Sequence, residues 1–173
     1  MKVTLYMTIS LNGIIARENN EEDFLSDYNW GTFVELSHKA GCFIWGRKTY
    51  EIVTNTYSKE LLNTISDIKK IIVSTDNEFK PKEGFESAKS PQDALYKAKK
   101  FGFKELILSG GSGLNSSFVK ENLIDEIVVN IEPVVIGKGI PLFSPTDFDL
   151  KLSEPEVETK VDGIIQLRYK VRK

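Results

Sequence analysis

Four short apolar runs, Cys42–Trp45, Lys70–Ser74, Glu105–Ser109 and Glu126–Ile131, alternate along the chain with segments of helical spacing. Each has the length of a buried strand rather than of a core helix. Strands that alternate with helices predict an α/β sheet built by crossover connections. The N-terminus differs: Val3, Leu5, Met7, Ile9 and Leu11 alternate with Thr4, Tyr6, Thr8 and Ser10, which predicts a strand with unlike faces. Asn12-Gly13 interrupts it, Ile14-Ile15-Ala16 resumes an apolar run, and Arg17 to Asp23 reads as a polar loop.

Ser90-Pro91-Gln92-Asp93 carries a helix start, with an N-cap serine, proline at the first position and an acid in the first turn. Leu95, Ala98 and Phe101 then share a face and Gly102 supplies a C-cap; Ser112 to Asn122 repeats the pattern with Leu114, Phe118 and Val119 inward. In the tail, Val157, Thr159 and Val161 alternate, Asp162-Gly163 turns, and Ile165 to Val171 alternates again, a hairpin signal. The expected fold is therefore a mixed, mostly parallel sheet flanked by helices, ending in an antiparallel hairpin. No repeat or long linker divides residues 1–173, which read as one domain.

Scarce residue types narrow the chemistry. One cysteine, Cys42, excludes an internal disulfide, and with one histidine, His38, there are too few ligands for a Cys/His zinc site; no metal is expected. Ser-His-Asp catalysis would rest on His38 alone, which sits in a helical stretch, Phe33 to Lys39, and reads as a surface residue. Cys42 opens a buried strand and reads as core. Lys and Arg number 23 against 25 Asp and Glu, which argues against nucleic acid as a partner. No apolar run reaches the ~18 residues of a membrane span, and the start MKVTLYMTIS does not read as a signal peptide. A cytoplasmic protein is the expectation.

Candidate ligand sites lie where strands end. At Trp45-Gly46-Arg47-Lys48-Thr49 a strand passes through glycine into a helix, and free N–H groups with two cations favour an anion; the alternative is a solvated basic first turn. Ser109-Gly110-Gly111-Ser112-Gly113-Leu114 follows another strand and lets a ligand approach the backbone, or makes only a tight turn. Its spacing is neither a Rossmann fingerprint nor a Walker loop. Ser74-Thr75 ends a third strand. Together they suggest one extended, phosphate-bearing ligand across the carboxyl edge of the sheet. The chain offers no nucleophile or metal set of its own, so that ligand fits a redox cofactor.

Four ordered stretches, Ile9 to Ala16, Trp45 to Glu51, Ile107 to Leu114 and Gly137-Lys138-Gly139-Ile140-Pro141-Leu142-Phe143, resemble the dihydrofolate reductase superfamily. Within it they are similar to the branch of the riboflavin-biosynthesis reductase domain, the RibD C-terminal domain. The resemblance implies a three-layer αβα dihydrofolate reductase-like fold and an NADPH-dependent reductase. Gly46, Arg47, Lys48 and Thr49 would hold the cofactor pyrophosphate and adenosine phosphate, Ser74 and Thr75 the adenosine ribose, and Lys89 a further 2′-phosphate contact, with Arg47, Thr75 and Lys89 together favouring NADPH over NADH. Gly110, Gly111, Ser112, Gly113 and Leu114 would lie beside the pyrophosphate, with Thr8, Ile15 and Ala16 flanking the nicotinamide.

The resemblance further implies hydride transfer to a pteridine- or pyrimidine-like small molecule, with a carboxylate that binds or protonates the heterocycle. Asp23 and Asp27 compete for that role, and Asp23-Phe24-Leu25 favours Asp23. Asn12 stands where riboflavin-type members commonly have aspartate, which weighs against a ribosyl-phosphate substrate. A stand-alone 5-amino-6-(5-phosphoribosylamino)uracil reductase is the alternative enzyme, and a non-catalytic nucleotide-binding module the alternative from another class. A homodimer is expected by the same likeness.

Overall fold

The computed structural model describes residues 1–173. In chain order the elements are β1 (Lys2–Ser10), β2 (Ile14–Ala16), α1 (Asp27–Ala40), β3 (Cys42–Gly46), α2 (Arg47–Thr56), α3 (Lys59–Asn63), β4 (Lys69–Val73) and β5 (Phe85–Ala88). There follow α4 (Pro91–Lys100), β6 (Glu105–Leu108), α5 (Ser112–Lys120), β7 (Glu126–Glu132), β8 (Ile140–Pro141), β9 (Glu156–Thr159) and β10 (Ile165–Lys170). Eight strands form one sheet in the order β5-β4-β3-β6-β1-β7-β10-β9. The first six run parallel; β10 and β9 join antiparallel at the far side.

The four apolar runs form strands within one residue of their expected bounds, because each is buried on both faces. On β3, Cys42 and Ile44 face a core with Ala94 and Ala98 of α4 and Phe118 and Val119 of α5. Phe43 and Trp45 face the other core, with Phe33 of α1 and Tyr50 and Val53 of α2. Helices thus cover both faces, and the result is the three-layer αβα arrangement.

Several local expectations change. Strand β1 has the expected unlike faces, and being central it buries the polar one too, with Thr4, Tyr6, Thr8 and Ser10 all covered, but Leu11 lies beyond its end and is 66% exposed. Phe101 is exposed rather than inward, with the Lys69 ammonium 3.8 Å from its ring centre, and Ala94 takes the inward position instead. Leu114 is only half-buried. Val161 leaves β9 for a 3₁₀ turn over Val161–Gly163. The edge strand β9 is exposed at all four positions, and charged Glu156 and Glu158 blunt it. His38 is at the surface and Cys42 is fully buried. No helix is long and apolar enough to cross a membrane.

Candidate active site

Capping separates two kinds of helix start. Ser58 caps α3 and Ser90 caps α4, each accepting a backbone N–H. Helices α2 and α5 instead begin on Gly46 and Gly111 with no side-chain cap and no acid in the first turn. Their first N–H groups are left for something else, and both open into one cleft. Two backbone bonds tie the starts together: Gly46 N–H donates to the Gly110 carbonyl at 2.8 Å, and Ser109 N–H to that of Ile44 at 3.0 Å.

Backbone packing explains the glycine. Gly110 has φ +79°, and a Cβ there would stand 3.1 Å from the Met7 sulfur. Gly139 is tighter still: a Cβ would lie 2.5 Å from the Ala16 carbonyl oxygen. That close approach seats β8 against β2, the strand that carries Ile15 and Ala16 into the cleft.

The cleft has a volume of about 850 Å³, large for a small-molecule site. Most residues expected to hold a cofactor line it: Ile15, Ala16, Gly46, Arg47, Lys48, Thr49, Ser74, Thr75, Lys89, Gly111, Ser112, Gly113 and Leu114. Gly110 is buried and lines neither this cleft nor its neighbour, and Thr8 lines the neighbouring cavity instead. Arg47 is held by Asp76 at 2.8 Å and lies 3.6 Å from Glu51, so its guanidinium already has anionic partners. Two uncapped helix starts, close glycines and the cations Arg47, Lys48 and Lys89 fit the phosphates of a dinucleotide.

The second cavity, about 380 Å³, lies over Tyr6, Met7 and Thr8 of β1. Its walls include Trp30, Phe33, Trp45 and Tyr57, and none of its lining side chains is Lys, Arg or His. It carries two carboxyls, Glu22 and Asp27. Ile15, Glu22, Thr49 and Gly111 line both cavities and mark the seam between them.

Asp23 lies in neither cavity. It pairs with Arg17 on the surface, and that guanidinium holds its carboxyl below the usual range. Asp27, at the first position of α1, lines the second cavity from its exposed rim. Glu22, which sequence reasoning passed over, is the carboxyl at the seam. Its oxygen accepts the Tyr57 hydroxyl at 3.2 Å, and burial raises its pKa while that hydrogen bond opposes the rise. Burial and the neighbouring Glu22 push the Tyr57 phenol upward, so it stays a neutral donor.

A buried polar network fixes the entry to α1. Glu132 on β7 accepts the Ser26 N–H and hydroxyl, both at 2.9 Å, and the Asn29 amide at 2.5 Å. Asn130 donates to Asn29 at 2.9 Å and to the Tyr6 hydroxyl at 3.1 Å, and accepts from Gln166 at 2.8 Å. Burial pushes the Tyr6 phenol up to about 12, which keeps it protonated in this network. Asn12 lies outside both cavities. Its amide brackets Ile136, donating to the carbonyl at 2.8 Å and accepting the N–H at 3.1 Å. A carboxylate could not donate there, so Asn12 has a structural task of its own.

Residues 1–166 match the model of the family described as the RibD C-terminal domain. A Bacillus subtilis (strain 168) protein, uncharacterized protein YyaP, is 28% identical over 178 residues, covering 97% of this chain and 94% of that protein. A solved Shewanella sp. PV-4 structure, provisionally named a riboflavin biosynthesis protein, superposes with a TM-score of 0.83 at 22% identity and covers both chains completely. A pyrimidine reductase-like protein from Corynebacterium diphtheriae gives a TM-score of 0.78 at 14% identity, over 99% of this chain and 92% of that one. At such identities the two structures establish a shared fold.

Proposed function

Because this chain belongs to the RibD C-terminal domain family, we propose that it is an NADPH-dependent reductase transferring hydride to a C=N or C=O bond of a pteridine- or pyrimidine-like substrate. The observation that carries this reading is the seam: a phosphate-suited cleft and an aromatic cavity share Ile15, Glu22, Thr49 and Gly111. A reduced nicotinamide, when bound, supplies the hydride. The chain's own residues bind and orient. The starts of α2 and α5 with Arg47, Lys48 and Lys89 would hold the phosphates, Ser74 and Thr75 the adenosine ribose, and Ile15 and Ala16 the nicotinamide face. Trp30, Phe33 and Trp45 offer flat apolar walls to a ring and keep water from it.

The second cavity favours a substrate without phosphate, since it presents carboxyls and aromatic rings but no cation. A ring bearing amino groups or a protonated nitrogen complements that lining; a phosphoribosyl tail does not. The names of the structural relatives, one a riboflavin biosynthesis protein and one pyrimidine reductase-like, favour the second reading that the sequence resemblance implies, reduction of 5-amino-6-(5-phosphoribosylamino)uracil. One experiment addresses both. Trp30 and Trp45 line the substrate cavity, so their fluorescence is titrated with NADPH and NADH and checked by calorimetry. Turnover of 7,8-dihydrofolate and of the phosphoribosylaminouracil is then compared. Saturable NADPH binding with reduction of the phosphate-free ring is the expected outcome. Reduction of the phosphorylated pyrimidine alone would establish the second reading, and silence towards both cofactors would overturn the reductase assignment.

A further inference from the structure

Reduction of a C=N or C=O bond needs a proton as well as a hydride, and the proton must reach the heteroatom beside the carbon that accepts hydride. Glu22 is the one carboxyl that lines both cavities. Asp27 lines only the substrate side and is exposed; Asp23 lines neither. No salt bridge engages Glu22, and its side chain accepts a hydrogen bond from the neutral Tyr57 hydroxyl at 3.2 Å. Resting on the reductase reading above, we propose that Glu22, oriented by Tyr57 at the seam between the cavities, delivers the proton that accompanies hydride transfer.

The surroundings suit a carboxylic acid at that place. Burial disfavours its charged form, and the Tyr57 hydrogen bond works against burial, which leaves an acid able to give up its proton. Tyr57, just past the end of α2, faces it, and Asp27 at the start of α1 lines the same cavity. The Arg17–Asp23 pair stays on the outside of the loop that carries Glu22. Arg47, Lys48, Asp76, Lys89 and Glu121 line the larger cleft.

The step balances. The reductant is a reduced nicotinamide, which gives hydride to the substrate carbon and is left oxidised. The π pair of the C=N or C=O bond takes the proton from the Glu22 carboxyl at its heteroatom. Glu22 is left as carboxylate and regains a proton from solvent. Tyr57 keeps its proton throughout and acts as a positioning residue.

The test compares wild type, Glu22→Gln and Tyr57→Phe in three readouts: NADPH affinity, the carboxyl C=O infrared band across pH, and turnover of whichever heterocycle above is reduced. Glu22→Gln keeps the shape and an acceptor for Tyr57. It should leave NADPH affinity within about twofold, abolish one protonated-carboxyl band that wild type retains above ordinary glutamate pH, and lower turnover by about 100-fold or more. Tyr57→Phe should move that band's titration to higher pH and carry the limb of the turnover–pH profile with it. Wild-type turnover in Glu22→Gln, or a Glu22 band that vanishes in the ordinary carboxylate range, overturns the assignment. Failure of wild type to bind NADPH or reduce either substrate overturns the reductase reading itself, and the proposal with it.

Discussion

Replacing Arg47 with alanine should separate the two nicotinamide cofactors. The guanidinium stands in the larger cleft with its side chain 39% exposed, and it already hydrogen-bonds Asp76 at 2.8 Å. A hydrogen bond between charged groups contributes about 1.5–3 kcal/mol. The exposed pair with Asp76 that a 2′-phosphate would displace is worth about 0–1 kcal/mol. The difference, about 0.5–3 kcal/mol, corresponds to roughly 2- to 150-fold in Kd for NADPH. NADH has no 2′-phosphate, and its affinity should change by no more than about twofold. Asp76→Asn should act in the opposite direction, because it removes the carboxylate that competes for Arg47, and NADPH should tighten. Calorimetric titration of the three proteins with both cofactors gives the comparison. Equal losses for NADPH and NADH in Arg47→Ala would refute the 2′-phosphate assignment. Weaker NADPH binding in Asp76→Asn would show that Asp76 orients Arg47 rather than competing for it.

Two further outcomes follow from the same site. Burial raises the Glu22 carboxyl, so the folded chain binds a proton that the unfolded chain has lost, and stability falls as pH rises from the ordinary carboxylate range through the raised value. Glu22→Gln removes that dependence: its Tm should exceed the wild-type Tm at neutral pH and converge with it in acid, and a lower Tm at neutral pH would refute the sign. Gly139→Ala sets a Cβ 2.5 Å from the Ala16 carbonyl oxygen, backbone that cannot rotate away. Overpacking of this kind costs about 1–3 kcal/mol; urea denaturation should show the loss, NADPH affinity should fall as β2 shifts, and an unchanged midpoint and affinity would refute it.

The sequence made one half of the site legible and left the other half dark, for a physical reason. The cofactor cleft is built largely from backbone at strand ends, and glycine and hydroxyl residues punctuate those ends in the sequence. Gly46, Ser74 and Gly111 could be found because each stands at or just past the end of a recognisable buried strand. The substrate cavity offers no such marker. Glu22 and Asp23 are neighbours in an irregular loop, where no periodicity says which side chain turns inward. The choice is made by Tyr57, 35 residues away and one position past α2, and by Arg17, which holds Asp23 at the surface. Phe101 shows the same limit on a helix: its spacing placed it with Ala98, yet Lys69 from a neighbouring strand offers its ammonium to the ring at the surface.

The two halves of the site also differ in what a substitution can change. Polar groups buried around Glu132 are tolerable only because they satisfy one another: Ser26 and Asn29 on Glu132, Asn130 on Asn29 and Tyr6, Gln166 on Asn130. That network anchors the start of α1 to β7, and so sets where the loop carrying Glu22 meets the sheet. Tyr6 and Asn29 belong to the network and to the cavity wall at once. Changing one member would therefore strand the polar groups of the rest and reshape the substrate cavity as well. The phosphate-suited half rests instead on helix starts and the Gly46–Gly110 backbone bond, which do not depend on those side chains. A fold divided in this way can exchange one heterocycle for another by altering α1 and its preceding loop while the dinucleotide end stays intact. On that division, Asp27 and Trp30 on the substrate side should vary with the substrate, while Glu22 at the seam and Gly46, Gly110 and Gly111 should stay with the fold.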